Sequence, residues 1–268
     1  MRLGSEQALQ RLLTTWEGVV ANRPDAAIGW AKELFAAENL LGSETAVARV
    51  ITDPARSPEA RAELVSRLFE GKVSGEVKDF LSGLAREPFR RPEEIVEAIA
   101  RSGVETIFMS AQISGRLQGV EEELYRASRT LSEAGELRRN LDDRDIAADR
   151  RISLVNRVFG SWSPETVALL EYGVANDEHI IRQLRHWIGD AGRRSQHLVA
   201  IVTAAAPLAV EQEQRLTEIL TKKYGKPVEI HVGIDPALIG GVRISIGPDV
   251  IDGSLASRIN HVKSVFAD

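Results

Sequence analysis

Up to about Asp190 the apolar positions of this chain recur three and four residues apart, and after Gly192 they change to short runs and alternation. Val77, Phe80, Leu81 and Leu84 keep i, i+3, i+4, i+7 spacing, and Ile180, Ile181, Leu184, Trp187 and Ile188 form a second stripe of the same kind. Both predict amphipathic helices with one buried face. Start signals agree: Ser57-Pro58 and Ser163-Pro164 each set a capping hydroxyl before a proline suited to the first helical position, and Ser74 can cap the helix leading to Phe80. A cap contributes about 1 kcal/mol. The stripes must therefore supply most of the stability. Residues 100–131 read as one long helix with a seam at Leu117, Val120, Leu124, Ala127 and Leu131, weakened by Gly103, Gly115 and Gly119.

Sliding the chain against itself by 90 residues exposes an internal repeat. Glu33-Leu34 falls on Glu123-Leu124, Leu41 on Leu131, Arg49 on Arg139, Asp53 on Asp143, and Leu64–Phe69 on Leu154–Phe159. A one-residue deletion then aligns Ser74-Gly75-Glu76 with Ser163-Pro164-Glu165, and Phe80-Leu81 with Leu169-Leu170. Order, apolar character and cap are kept together. The physical reading is two related helical-bundle units, 1–105 and 106–191, with one long helical domain and a coincidental likeness as the alternative.

Beyond Gly192, Leu198-Val199-Ala200-Ile201-Val202 is an apolar run of strand length ended by Ala205-Ala206-Pro207. Glu211 to Tyr224 reads as a helix through Leu216, Ile219, Leu220 and Tyr224, stopped by Gly225 and Pro227. Val228–Val232 and Val242–Ile246 alternate as strands, and a closing helix carries Leu255, Ile259, Val262 and Phe266. The fold class expected is mainly α, with two related helical units followed by a small α/β domain of order βαββα at 193–268.

Composition narrows the chemistry. The 268 residues carry a net charge of −5, with a pI near 5.7, and Lys and Arg are dispersed, which argues against a nucleic-acid surface. Cysteine is absent, so no disulfide or thiolate chemistry is available. The start is not laid out as a secretory signal. The longest apolar run, Leu198 to Val210, is interrupted by Thr203 and Pro207 and falls short of the roughly 20 residues a bilayer requires. Membrane association is expected only through a partner.

Reactive constellations are also missing from the pattern. Gly71-Lys72 leads to Val73 and Gly225-Lys226 to Pro227, without the upstream glycine of a phosphate loop, and Gly240-Gly241 leads into a strand rather than a helix. His179, His186, His197, His231 and His261 form no zinc-type pair, and Asp142-Asp143-Arg144-Asp145 lacks the glycine and terminal Glu of a calcium loop, so it reads as a polar connection. Trp16, Trp30, Trp162 and Trp187 have no basic neighbours for base stacking and read as packing residues. No cofactor and no catalytic residue is expected. Asp252 or Ser254 reads as a cap for the last helix with Gly253 supplying a turn, Asp235-Pro236 starts another turn, and Gly240-Gly241 permits positive φ or close backbone approach.

Those same residues carry a resemblance. Asp235-Pro236-Ala237-Leu238-Ile239-Gly240-Gly241-Val242, then Gly247, then Val250-Ile251-Asp252-Gly253-Ser254, resembles the C-terminal signature of the δ subunit of F-type ATP synthase, called the oligomycin-sensitivity-conferring protein in mitochondria. Val199, Val202, Ala205, Pro207-Leu208 and the helix to Tyr224-Gly225 are similar to the same domain. The second helical unit, with Leu124, Leu154-Val155, Phe159 and Ser163 to Leu170, resembles the family's N-terminal helical domain. The first unit departs from the single-copy pattern and resembles an extended form with an extra helical unit in front.

The resemblance implies a non-catalytic peripheral-stalk subunit at the cytoplasmic face of the cell membrane. In that family the helical domain grips amphipathic N-terminal helices of α subunits and the C-terminal domain holds the distal end of the b stalk, so that the head does not turn with the rotor. Helix-in-groove binding needs apolar surface and no catalytic group. Leu154, Val155, Phe159, Leu169 and Leu170 are the expected partner-binding helical positions; Asp235, Pro236, Leu238, Gly240, Gly241, Gly247, Asp252, Gly253 and Ser254 are the expected frame of the docking domain. No nucleic-acid partner and no homo-oligomer are expected. A helical adaptor or regulator carrying a δ-like C-terminal domain is the alternative.

Overall fold

A computed structural model describes the chain except for residues 1, 177–178, 196–197, 226, 237, 239, 247–248 and 254–268. Among the described residues eleven α-helices precede the first strand: α1 (Leu3–Asn22), α2 (Ala27–Ser43), α3 (Thr45–Ile51), α4 (Pro58–Phe69), α5 (Gly75–Arg86), α6 (Pro92–Ile113), α7 (Leu117–Glu133), α8 (Gly135–Asp142), α9 (Ala148–Phe159), α10 (Pro164–Ala175) and α11 (Ile180–Arg194). There follow β1 (Leu198–Ala204), α12 (Val210–Tyr224), β2 (Val228–Ile234), β3 (Val242–Ile246) and β4 (Asp249–Asp252). The class is mainly α with a small α/β end, as the pattern predicts. Backbone contacts divide the chain into two compact units, 1–120 with 147–176, and 121–146 with 177–268. These are units of packing and do not coincide with the repeats. The repeat boundary at 105 falls inside α6.

The first compact unit is built on stripes. On α1, Leu9, Leu13, Trp16 and Val20 are buried, and on α5 so are Val77, Phe80, Leu81 and Leu84. Trp16 sits at the centre of this core, its ring 5.3 Å from Trp30 and 4.8 Å from Phe80. Its indole N–H donates to Thr106 Oγ1 at 2.8 Å, which satisfies a donor that would otherwise be stranded. Ser57 and Ser163 accept hydrogen bonds from Ala60 N and Thr166 N, so the two serine-proline starts are caps. Ser74 differs. It holds the N-cap position without a capping bond, because its hydroxyl and its amide both donate to Glu33, at 2.7 and 2.9 Å.

The continuous helix expected over 100–131 is broken. Gly115 takes φ +68°, a left-handed conformation that ends α6, and Arg116 N donates back to Ala111 O. Such a residue costs an L side chain about 1–2 kcal/mol, so glycine here marks a helix end rather than a weak point within one.

In the second compact unit the sheet order is β2-β1-β3-β4, with β1 and β2 parallel and the other pairs antiparallel. The parallel pair requires a crossover, and α12 supplies it. Ala200, Val202, Val228, Ile244 and Ile246 form the core with Leu220, while Leu216 and Tyr224 pack at its edge. Ile219, expected in that stripe, is instead 54% exposed. The strand β4 is an addition to the expected βαββα order: too short for an alternation signal, it is held by pairing with β3. The expected closing helix lies outside the described residues.

Candidate functional site

The signature segment is a frame of backbone turns. Asp235 N donates to Ala204 O at 2.9 Å, tying the end of β2 to β1, and Asp235 O accepts from Leu238 N at 3.1 Å, closing a turn around Pro236. Gly240 and Gly241 follow with φ +78° and +81°. Two successive left-handed residues redirect the chain into β3, and side chains there would be strained. Gly253 serves by lack of bulk: its amide donates to Val242 O at 2.9 Å, and a Cβ on it would stand 3.1 Å from that oxygen. Asp252 ends β4 opposite Arg243, with their side chains paired at 3.1 Å. Gly247 and Ser254 lie outside the described residues, as does any helix they would lead into. On this unit Val250 and Ile234 are exposed, and Gly233 admits the Tyr125 hydroxyl, 3.3 Å from where its Cβ would be. Burial raises the pKa of that phenol.

The helical positions expected to meet a partner are mostly spent on the fold. Val155, Phe159, Leu169 and Leu170 are at most 1% exposed, and only Leu154 keeps part of its surface. Their stripe closes α9 on α10, and Phe159 also meets Trp162 edge-on at 4.8 Å. A partner helix cannot use atoms that are already covered. In this fold the four lie in the core between α9 and α10, and half-buried residues such as Leu154 stand beside them at the surface.

Each copy has an arginine–glutamate pair at the same helix start, although the two arginines do not align in the repeat. Arg23, at the end of α1, pairs with Glu76 in the first turn of α5 at 3.1 Å, and Arg116, after α6, pairs with Glu165 in the first turn of α10. Glu76 aligns with Glu165 in the repeat. A carboxylate in the first turn of a helix is favoured by the helix dipole, and the arginine adds charge-assisted bonds. Glu165 is fully buried, so its partner is needed for the fold. Glu38 on α2 is the contrasting case, where burial pushes the carboxyl up to about 7.

A cleft at α8 and the start of α11 is lined by Arg138, Arg139, Asp142, Asp143, His179 and Ile181. Its acids are structural. Asp142 Oδ1 accepts from Ile180 N at 2.9 Å, capping α11, and Asp143 Oδ1 accepts from Asp145 N at 2.9 Å, making the polar turn before α9. Among the described residues no group of three or more His, Cys, Asp or Glu could hold a metal ion, and no helix is long and apolar enough to cross a membrane.

The family model for the ATP synthase delta (OSCP) subunit matches this chain twice, over residues 19–102 and again over 99–266. The chain belongs to that family. Its duplicated helical unit gives two matches, so this is an extended delta subunit. It is similar to the ATP synthase subunit delta of Beutenbergia cavernae, 34% identical over the whole of both chains. It is also similar to that of Streptomyces coelicolor, 35% identical over 85% of each, and that of Thermobifida fusca, 31% identical over 98% of each. A chain of the Toxoplasma gondii mitochondrial ATP synthase hexamer matches 62% of this chain and 95% of its own length, at TM-score 0.40 and 17% identity, too loosely to decide anything. The delta family is a non-catalytic one, and this delta chain is not an enzyme.

The signature and the repeat were both visible in sequence. Phe35, Gly103 and Tyr172 were not: the rings of Phe35 and Tyr172 stack at 3.6 Å, against Gly103. The available signal was Gly103, a glycine deep in a helix where alanine is favoured.

Proposed function

We propose that this delta chain is the joint of the peripheral stalk at the cytoplasmic face of the cell membrane, binding amphipathic N-terminal helices of α subunits through its helical part and the distal end of b through residues 193–268. The observation that carries this reading is the family match, found twice and running together from residue 19 to residue 266. The joint has to resist the torque of the rotor during ATP synthesis without doing chemistry. Several moderate contacts within one assembly achieve this, because each contact holds the others at high effective concentration. Residues 1–105 and 106–191 are the two copies of the helical unit in this reading. Asp235, Pro236, Leu238, Gly240, Gly241, Asp252 and Gly253 shape the docking domain and touch no substrate. One copy of the chain serves one synthase, with no self-association and no nucleic acid or cofactor.

Stripping this chain from isolated membranes tests the role. The catalytic head is expected to dissociate and proton-driven ATP synthesis to stop, with both restored by adding the chain back. Heads that stay bound and coupled without it refute the proposal.

A further inference from the structure

Asp252-Gly253 is the one Asp-Gly step in the sequence, which has no Asn-Gly. The pair is reactive in any chain that can bend at it. An aspartate side chain is short enough to reach its own backbone, and a glycine next in line puts no Cβ in the way of its amide nitrogen. That nitrogen can bond to Asp252 Cγ: the amide hydrogen and the hydroxyl of the protonated carboxyl leave together as water, and a succinimide ring closes. Water then opens the ring. Addition at Cγ returns aspartate, whereas addition at the main-chain carbonyl gives isoaspartate, with the chain now running through Cγ and lengthened by a methylene. The water lost is the water regained, so mass is unchanged and no oxidant or reductant is required.

In the fold, β3 holds both reacting groups. The Gly253 amide donates to Val242 O at 2.9 Å, so the hydrogen that has to leave is engaged. The Asp252 carboxylate accepts from Arg243 Nη2 at 3.1 Å, which ties the side chain across to β3 instead of leaving it free to swing onto its own backbone. Val242 and Arg243 are consecutive, and Asp252 lies opposite Arg243 in the antiparallel register. A bulky residue after the aspartate would hinder the attack, but the packing resists it: a Cβ on residue 253 would stand 3.1 Å from Val242 O. The glycine is kept for packing, and protection passes to strand pairing.

That pairing is local. β4 is four residues long and stands at the edge of the described sheet beside β3, with Val250 63% exposed. Tyr224 pins its start, donating to Asp249 Oδ2 at 3.2 Å, and Arg243 pins its end. Short edge elements open far more often than the whole fold unfolds. We infer that Asp252-Gly253 is a latent site of spontaneous backbone modification, guarded by β3 and released when β4 lifts, so that isoaspartate builds up there at a rate set by the opening of this strand. The product does not pair as before. Its added methylene moves the residue 253 amide away from Val242 O, and its carboxylate, now borne directly on Cα, falls short of Arg243.

The test ages the full chain at neutral pH, folded and in urea, with isoaspartate counted by isoaspartyl-specific enzymatic methylation and located by fragment mass spectrometry. It is expected at Asp252 in both samples, about tenfold or more slower in the folded one. In the folded chain Arg243→Ala should speed it about twofold to fivefold, with Arg243→Lys restoring part of the protection. Tyr224→Phe, which frees the far end of β4 and touches neither reacting group, should speed it as well. In urea none of the three should matter, and circular dichroism establishes that each variant is folded without it. Equal rates in the folded and unfolded parent, or no isoaspartate at Asp252 in urea, overturn the inference. So does a folded rate that neither Arg243→Ala nor Tyr224→Phe changes.

Discussion

Replacing Gly103 by alanine should destabilise this protein, although in an ordinary helix the same change stabilises. Alanine is favoured over glycine in a helix interior by about 0.5–1 kcal/mol. Here the added Cβ would lie 2.3, 2.7 and 2.9 Å from three ring carbons of Phe35. Those distances cannot persist, and the ring is 6% exposed and stacked on Tyr172, so it has little room to yield. Overpacking a core costs about 1–3 kcal/mol, and loss of an aromatic pair about 0.5–1.5 kcal/mol. The sum, set against the propensity gain, is a net loss of about 1–3 kcal/mol. Gly18 is the control: it lies within α1 with nothing within 4 Å of its would-be Cβ, so Gly18→Ala should gain about 0.5–1 kcal/mol. Urea denaturation followed by circular dichroism measures both. In a Phe35→Ala background the Gly103→Ala penalty should vanish, which a double-mutant cycle reads as coupling. A neutral or stabilising Gly103→Ala in the parent would refute the packing argument.

Glu38 should make stability depend on pH. Its carboxyl titrates near about 7 in the fold against 4.5 ordinarily, so the fold favours the protonated form; stability is intact below about pH 4.5 and is lost as pH rises through about 7. Glu38→Gln should therefore help more at about pH 8 than at about pH 5, and an equal effect at both counts against the assignment. Ser163→Ala removes the bond to Thr166 N and should cost about 1 kcal/mol in urea denaturation. Gly240→Val or Gly241→Val should strain the turn into β3 by about 1–2 kcal/mol and weaken binding of b while helical content is retained; unchanged b binding would show that the turn does not shape that surface.

The helices were legible because their apolar stripes are long. Ser57 and Ser163 could be read as caps since proline fixes the next residue, whereas at Ser74 a distant acid, Glu33, took the hydroxyl. The stop at Gly115 was missed because a glycine in an apolar-periodic stretch looks the same whether it weakens a helix or ends one; only φ distinguishes them. Likewise Val155, Phe159, Leu169 and Leu170 are apolar in a pattern that serves core and groove equally, and the choice depends on what lies opposite. The β4 strand depends on cross-strand pairing, which is non-local and leaves little trace in four residues. The turn at Asp235 and the glycines after it were legible since their chemistry is local.

Nearly every residue of α6 from Ser102 to Ala111 is buried, so this helix has no solvent face along that stretch. A protein that gains a second copy of a domain can usually lose it again by deletion. Here, deletion of α1 to α5 would leave Ile95, Ile99 and Met109 on α6 without the neighbours that cover them. The longer chain is thereby held in place as by a ratchet: because α6 lacks a polar side, a shorter form would need several simultaneous substitutions along one helix.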